Sequence, residues 1–384
     1  MSARIVITVQ HLLGTGHLRR AALLARSCAQ AGFTVRLVSG GFAVPDLDTG
    51  GAELVQLEPV RCREGDFSTL LDAGGAPIDD AFRARRRGQL LAAFDDARPD
   101  ALIVEMYPFG RRQMRFELEP LLDHAGAARP RPLIIASVRD ILQTGRKPGR
   151  NEEAARIIER DFDAVLVHGD PAFVPFASSF PPADTIAGRI HHTGYLAGPA
   201  PPKAGPGDAG WGEVVVSAGG GAVGSALLHA AIAARSRSPL KDRTWRLLVG
   251  PAMDKAERAA LERAGGSGIV IERARPDFAR LLAGAAVSVS QGGYNTVTDI
   301  LNAGVRAVIV PFAGSGETEQ TMRAGRLAAR GLAVMLPESD LSPETLARAV
   351  GEAHAMAPGP SEIDLSGAAT SVRLLAGWLA KRAR

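Results

Sequence analysis

Residues 286–330 read AVSVSQGGYNTVTDILNAGVRAVIVPFAGSGETEQTMRAGRLAAR. Residues 287–290 are a short β-prone run that predicts a buried strand. Gln291, Gly292 and Gly293 interrupt it, and residues 294–303 have helical spacing. Strand, two glycines and helix together present backbone N–H groups to an anion at a helix N-terminus. Glycine suits that turn because a Cβ would hold phosphate oxygens away from the backbone. Asn295 and Thr296 add short polar side chains in the first turn, and Asp299 follows one turn later on the same face. A second strand, 307–310, ends in Pro311 and Phe312. A polar loop, 313–318, then leads to Glu319 and Gln320 at the start of another helix. Two successive strand ends thus deliver polar groups to one crevice. The first suits a diphosphate, and the second, a carboxylate beside an amide, suits sugar hydroxyls. A lone Gly-Gly turn is also a common βα connection. It is the combination that points to a ligand.

The chain begins in the same style. Residues 4–9 (RIVITV) predict a strand, 17–31 an amphipathic helix, and 34–39 (TVRLVS) the next strand. This β-loop-α-β start opens a doubly wound parallel sheet. The first turn holds Gly14, Gly16 and His17, without the third glycine of a dinucleotide fingerprint. His17 lies at a strand's carboxyl end, and its near-neutral pKa suits a general base; a helix-capping role without chemistry is the plain alternative. Arg19 and Arg20 could meet phosphate or face solvent, and at least one is expected to face solvent. Residues 79–96 predict a helix carrying Arg83, Arg85, Arg86 and Arg87, a charge run that reads as a solvated face.

Further strands are expected at 53–57, 101–105, 133–138 and 164–167. Groups just past strand ends line the crevice of an open α/β sheet. Glu105, Arg111, Arg112, Arg139 and Asp140 are therefore candidate acceptor contacts. Glu105 could instead pair with an arginine. Asn151 is a candidate cap for a helix over 152–160, and the basic loop 143–150 could act as a lid. His168 and Asp170 also sit past a strand end, where structural capping is the better reading. His191 and His192 have no third ligand at metal spacing.

The Pro/Gly-rich stretch 198–212 breaks every period and reads as a linker. Two domains result: residues 1–197 and 213–365, with a last helix over 366–384. The second domain restarts the βα pattern at 213–217, and a glycine turn containing Gly219 and Gly220 follows. A short helix is expected over 276–282, and Ser342 should cap the helix 343–352.

The Gly292 to Gln320 signature resembles the donor-binding region of GT-B glycosyltransferases, the MurG-like and family 28 type. The GxGH turn at Gly14–His17 is similar to that of the same group and of related sugar-nucleotide hydrolases. The resemblance implies two Rossmann-like, doubly wound parallel-sheet domains facing a cleft, the N-terminal one for the acceptor and the C-terminal one for the donor. It implies that Gly292, Gly293, Asn295 and Thr296, with Gly219 and Gly220 and the Gly14 and Gly16 turn, approach the donor diphosphate. It places the ribose on Asp299, where many relatives have Glu, and the donor sugar on Glu319 and Gln320. The nucleotide base falls near Arg273 and Pro276, and the final helix crosses back onto the first domain.

Composition agrees. The 384 residues are enough for two cores, and 45 Lys+Arg against 41 Asp+Glu leave +4, which favours anionic small ligands over nucleic acid. Cys28 and Cys62 fit no metal spacing and suggest a reducing compartment. Neither a signal peptide nor a bilayer-spanning run is expected, which implies a cytoplasmic protein able to touch a membrane surface. The reading is a transferase moving a sugar from a nucleotide diphosphate, UDP by expectation, to an unidentified acceptor. No cofactor is expected, since the nucleotide sugar is a substrate, and no metal. A hydrolase or epimerase of the same fold, and a non-catalytic nucleotide-sugar binder, remain alternatives.

Overall fold

The computed structural model describes residues 2–63, 66–143, 148–218, 224–250, 253–314, 317–357 and 361–382. The chain divides into two compact units. One comprises Met1–Leu196 with Asp364–Arg384, and the other Ala197–Ile363.

The first unit runs β1 (Arg4–Val9), α1 (Gly16–Gln30), β2 (Thr34–Ser39), β3 (Glu53–Gln56), β4 (Arg61–Arg63), β5 (Asp66–Leu71), α2 (Asp80–Ala97), β6 (Ala101–Glu105), α3 (Arg115–Ala127), β7 (Leu133–Arg139), α4 (Arg150–Asp161), β8 (Ala164–His168) and β9 (Ile190–His192). Seven strands form a parallel sheet in the order β3-β2-β1-β6-β7-β8-β9. The order reverses between β1 and β6, and ligands of open α/β sheets bind at such a reversal. Strands of this sheet feed two cores. Ile5, Ile7 and Val9 pack on the α1 side, whereas Val6 packs with α2 and α3 residues. The 40–75 segment, expected to hold one strand, also contains the antiparallel pair β4 and β5.

The second unit runs β10 (Val214–Ser217), α5 (Ser225–Arg235), β11 (Trp245–Val249), α6 (Lys255–Ala264), β12 (Ile269–Arg273), α7 (Phe278–Gly284), β13 (Val287–Ser290), α8 (Tyr294–Ala303), β14 (Ala307–Ile309), α9 (Glu319–Ala329), β15 (Val334–Met335) and α10 (Pro343–Ala355). Its six parallel strands lie in the order β12-β11-β10-β13-β14-β15. Here the reversal falls between β10 and β13, and Gly292 and Gly293 follow β13 directly. Ser342 caps α10 through a capping box with Thr345.

The last helix, α11 (Gly367–Arg382), belongs to the first unit. Leu375 joins the core beside α1, and Trp378 meets the His191 ring at 4.9 Å. The return is tied by backbone bonds from Tyr195 N to Asp364 O (2.7 Å) and from Gly367 N to Tyr195 O (3.0 Å). A Cβ on Gly367 would fall 2.6 Å from Tyr195 O, so glycine is required at this crossing.

Three local expectations change. The 198–212 stretch, expected as a linker, follows the division between the units but packs on the second unit. Gly212 N donates to Gly284 O at 2.8 Å, and Gly210, at φ +89°, lies so close to the Leu281 backbone that a side chain has no room. Asn151 does not cap α4, since the helix starts earlier, after Gly149 in the left-handed region. The arginine run on α2 is not wholly solvated. Arg83, Arg85 and Arg87 are exposed, but Arg86 is fully buried. It occupies the helix face of Phe82 and Leu90, one turn away on either side.

The Arg86 guanidinium donates to both Glu117 oxygens (2.6 and 3.2 Å), to Gly40 O (2.8 Å), to Gln10 Oε1 (2.5 Å) and to Glu58 O. One side chain thereby joins α2, α3 and the loops after β1, β2 and β3. Removing it strands a buried carboxylate, which costs about 3–5 kcal/mol. Arg86→Ala should lower unfolding stability by about that amount in urea titration. Arg86→Met with Glu117→Leu should recover most of the loss, because no unpaired charge then remains.

Candidate functional site

In the first unit the turn after β1 and the end of β6 meet at the strand-order reversal. His17 lies in the first turn of α1 and Glu105 is the last residue of β6. His17 Nδ1 is 2.8 Å from Glu105 Oε1, and the Arg20 guanidinium donates to the same oxygen. Glu105 and Arg20 are almost fully buried, while the His17 side chain keeps 18% of its surface. A carboxylate on Nδ1 fixes that nitrogen as the protonated one. Nε2 is then the lone-pair nitrogen, and no described residue engages it. Burial lowers the His17 pKa below its ordinary value, with Glu105 opposing and Arg111 and Arg20 assisting. Burial pulls Glu105 upward, but His17, Arg20 and Arg111 together hold it below the usual carboxylate range. The pair therefore stands as neutral imidazole over carboxylate at neutral pH, which is the state a general base needs.

The other expected residues of this unit divide sharply. Arg19 is exposed and Arg20 is buried under His17. Gly14 and Gly16 bracket Thr15 at the start of α1. Glu105, expected as an acceptor contact, is instead the buried partner of His17. Asp140, expected in the same role, is buried and accepts the Tyr195 hydroxyl at 2.6 Å. Arg112 pairs with Glu153 of α4, which Arg115 also holds at 2.5 Å, so it braces helices. Arg139 ends β7 half-buried. Arg111 donates from Nε to Gln10 O at 2.6 Å. His168 is buried between Ser137 (2.9 Å) and Thr193 (3.0 Å), and burial pushes its pKa down to about 3. Asp170 accepts Ala172 N and Asp364 N (2.8 and 3.0 Å), the capping role expected of it. Of the lid expected at 143–150, residues 144–147 lie outside the described residues.

In the second unit the turn after β13 is built on a buried arginine. Arg323 of α9 donates to Gly292 O and to Glu319 Oε1, both at 2.7 Å, and stacks its guanidinium on the Tyr294 ring at 5.8 Å. Gly292 and Gly293 are glycines for different reasons. A Cβ on Gly292 would sit 3.1 Å from Gln320 O and 3.2 Å from Ile309, so close packing of α9 accounts for it. Gly293, the N-cap of α8 at φ −64°, would place a Cβ in open space. No described protein atom requires glycine there, and the turn leaves room for close approach to the backbone. No side chain caps α8. Asn295, Thr296 and Asp299 are half-buried along its first turns.

Glu319 and Gln320 were expected to meet sugar hydroxyls. Glu319 is buried against Arg323, so its carboxylate is spent on the turn. Gln320 Oε1 accepts Phe312 N at 3.1 Å, which fixes the amide and leaves its NH2 as the donor end. Arg273 and Pro276 are exposed at the end of β12 and just beyond. Gly219 and Gly220 lie outside the described residues. Just past them, Ser225 and His229 of α5 both reach Glu257 Oε1, the histidine at 2.8 Å. Sequence reading missed Arg20, Arg86 and Arg323. Each lies at helical spacing from apolar or acidic neighbours, which is the signal that could have found them. Among the described residues no group of His, Cys, Asp and Glu is arranged to hold a metal.

Residues 214–364, most of the second unit, match the model of the Glycosyltransferase family 28 C-terminal domain. A UDP-N-acetylglucosamine--N-acetylmuramyl-(pentapeptide) pyrophosphoryl-undecaprenol N-acetylglucosamine transferase from Azoarcus sp. (strain BH72) is 36% identical over 135 residues, 33% of this chain and 36% of that protein. The protein of the same name from Albidiferax ferrireducens is 39% identical over 71 residues, 18% of each chain. The aligned stretches thus span about a third or less of these relatives. Among solved structures, the calicheamicin glycosyltransferase CalG4 covers 100% of both chains at a TM-score of 0.65 and 18% identity. Acinetobacter baumannii MurG covers 97% of this chain and 99% of its own at 0.57 and 17%. The architecture is the GT-B fold, two Rossmann-like parallel-sheet domains.

Nuclear magnetic resonance of the His17 ring should show the Nδ1–H tautomer at neutral pH, titrating below 6.5. Glu105→Gln removes the charge that favours protonation, so titration should move lower still. The sign for stability follows: a histidine depressed on folding contributes fully above its unfolded pKa, about 6.5, and that contribution fades as pH falls.

Proposed function

We propose that this chain transfers a sugar from a nucleotide diphosphate, UDP by preference, to an acceptor hydroxyl. The observation that carries the reading is the His17–Glu105 pair: a neutral imidazole, oriented by a buried carboxylate, with Nε2 accessible. A pure binder has no need of such a base. His17 Nε2 would take the acceptor proton while the acceptor oxygen attacks the anomeric carbon. The bond from that carbon to the diphosphate oxygen breaks, and the nucleoside diphosphate leaves. The second unit would hold the donor, with the diphosphate over Gly293 and the N-terminus of α8, beside Asn295 and Thr296. Helix dipole and backbone N–H groups would stabilise the developing charge, without a metal. Asp299 would meet the ribose, the Gln320 amide the sugar, and the turn carrying Arg273 and Pro276 the base.

The match to a family 28 C-terminal domain supports the donor half of this reading. The relatives' printed name supports a UDP-linked N-acetylhexosamine as the first donor to try. Both cysteines are free and buried, which suits a cytoplasmic location. Among the described residues no helix is long and apolar enough to cross a membrane.

The test is product analysis with a panel of UDP- and dTDP-sugars, with cell extract as acceptor source and EDTA present. Transfer to an extract component is expected. Release of free sugar without transfer would favour hydrolysis instead. His17→Ala should lower turnover about 10²- to 10⁴-fold with UDP affinity intact. Near-normal turnover would remove His17 as the base.

Gly293→Val should abolish UDP binding in calorimetry with the fold retained, because a Cβ there meets no described protein atom within 4 Å and the poorer N-cap costs only about 1 kcal/mol. Unchanged UDP affinity in the folded variant would displace the diphosphate from α8.

A further inference from the structure

A second buried histidine, His168, has no part in the proton transfer, yet its place in the sheet couples it to Glu105. Ser137 of β7 is level with Glu105 of β6, and His168 ends β8, the next strand along. Residues level on neighbouring parallel strands stand about 4.8 Å apart and share a face. His168 Nε2 is 2.9 Å from Ser137 Oγ, and Nδ1 is 3.0 Å from Thr193 Oγ1. Glu105, Ser137, His168 and Thr193 are all buried.

The direction of each hydrogen follows from the far end of this line. Thr193 Oγ1 lies 2.8 Å from Gly194 O and 3.3 Å from Val167 O. Carbonyl oxygens only accept, so the threonine hydrogen points to them. Its oxygen then accepts from His168, which puts the ring proton on Nδ1. Burial holds this imidazole neutral, with the field of Arg20 assisting and that of Glu105 opposing, so it carries one proton only. Nε2 is therefore an acceptor, and the Ser137 hydroxyl donates to it. The line runs from Ser137 to His168 to Thr193 to Gly194 O, and every hydrogen in it points away from Glu105.

Glu105 has an oxygen that could use such a hydrogen. His17 and Arg20 both take Oε1, while Oε2 is buried and no described residue donates to it. Leaving a buried acceptor unmade costs about 1–3 kcal/mol. The serine level with Glu105 carries a donor, and the imidazole holds its hydrogen. A hydrogen bond to a carboxylate spreads the charge and favours the ionised form by itself. Without that bond, more of the Glu105 charge acts on His17.

We propose that His168 is a positioning residue for the base: it keeps the Ser137 hydroxyl hydrogen away from Glu105, so that the carboxylate acts undiluted on His17. The word base rests on the transferase reading; the direction of the hydrogen bonds and the pull on His17 do not.

Nitrogen-15 nuclear magnetic resonance of the full chain tests this without turnover. In wild type His168 should show the Nδ1–H tautomer, and the Nε2–H tautomer would overturn the proposal. His168→Phe keeps an aromatic ring that cannot accept, so the serine hydrogen is free to turn to Oε2. The His17 titration should then move lower by about half a unit to one unit, in the direction of Glu105→Gln but by less. Adding Ser137→Ala removes the released hydroxyl, and the double variant should return to the wild-type titration. Thr193→Val should act as His168→Phe does, because without an acceptor at Nδ1 the ring proton can move to Nε2 and donate to Ser137. If melting curves show that the phenylalanine variant does not fold, Thr193→Val with and without Ser137→Ala carries the test. An unmoved His17 titration in the folded single variant would overturn the proposal. So would a shift that persists in the double variant, since a packing effect is not undone by removing one more hydroxyl. Wild type that shows these tautomers and shifts but transfers no sugar would remove the transferase reading alone.

Discussion

A carboxylate buried beneath an imidazole is the constraint on which the first unit turns. Glu105 ends β6, and β6 lies beside β1 only because the sheet winds outward in both directions from that pair. The loop after β1 must then pass over the end of β6, which brings His17 to 2.8 Å from Glu105. Ionised carboxylates are costly to bury. Arg20, one turn further along α1, offsets that cost by taking the same oxygen. The pair is therefore fold and chemistry at once: the charge balance that lets the strand end be buried also sets the tautomer of the histidine.

The same device recurs away from His17. Arg86 with Glu117 fastens α2, α3 and three loops, and Arg323 with Glu319 fastens the turn after β13 to α9. In each case a guanidinium leaves its own helix to hold a carbonyl oxygen of a loop as well as a carboxylate. Arginine does this where lysine would not, because its flat fork bonds in several directions from one position. The positive balance of the chain is thus only partly a surface property. Several arginines are interior fasteners.

The two units build their sites unlike each other. In the first, side chains from different strands converge on one histidine. In the second, the backbone is the instrument: Gly292 is small so that α9 can close against it, and Gly293 is small where the protein makes no such demand. Glu319 and Gln320 work behind this turn, the first on Arg323 and the second on Phe312 N. The groups of this turn left without such a duty are the α8 N-terminus and the amide NH2 of Gln320.

Much was legible from the order of residues alone. Alternating strand and helix patterns, the glycine pair before Tyr294 and the GxGH turn gave two parallel-sheet domains and named His17, because period and turn chemistry are local properties. The final helix was placed through the resemblance, and it meets Tyr195 and His191 of the first unit. What only the tertiary structure decided is which charges are interior. Nothing near Arg86 or Arg20 in sequence says that its carboxylate waits on another element, and the i,i+4 spacing of Glu319 and Arg323 does not say that a loop carbonyl lies beside them. Charge pairing acts through space, across 31 residues for Arg86 and 85 for Arg20, and only the wound sheet brings such residues together.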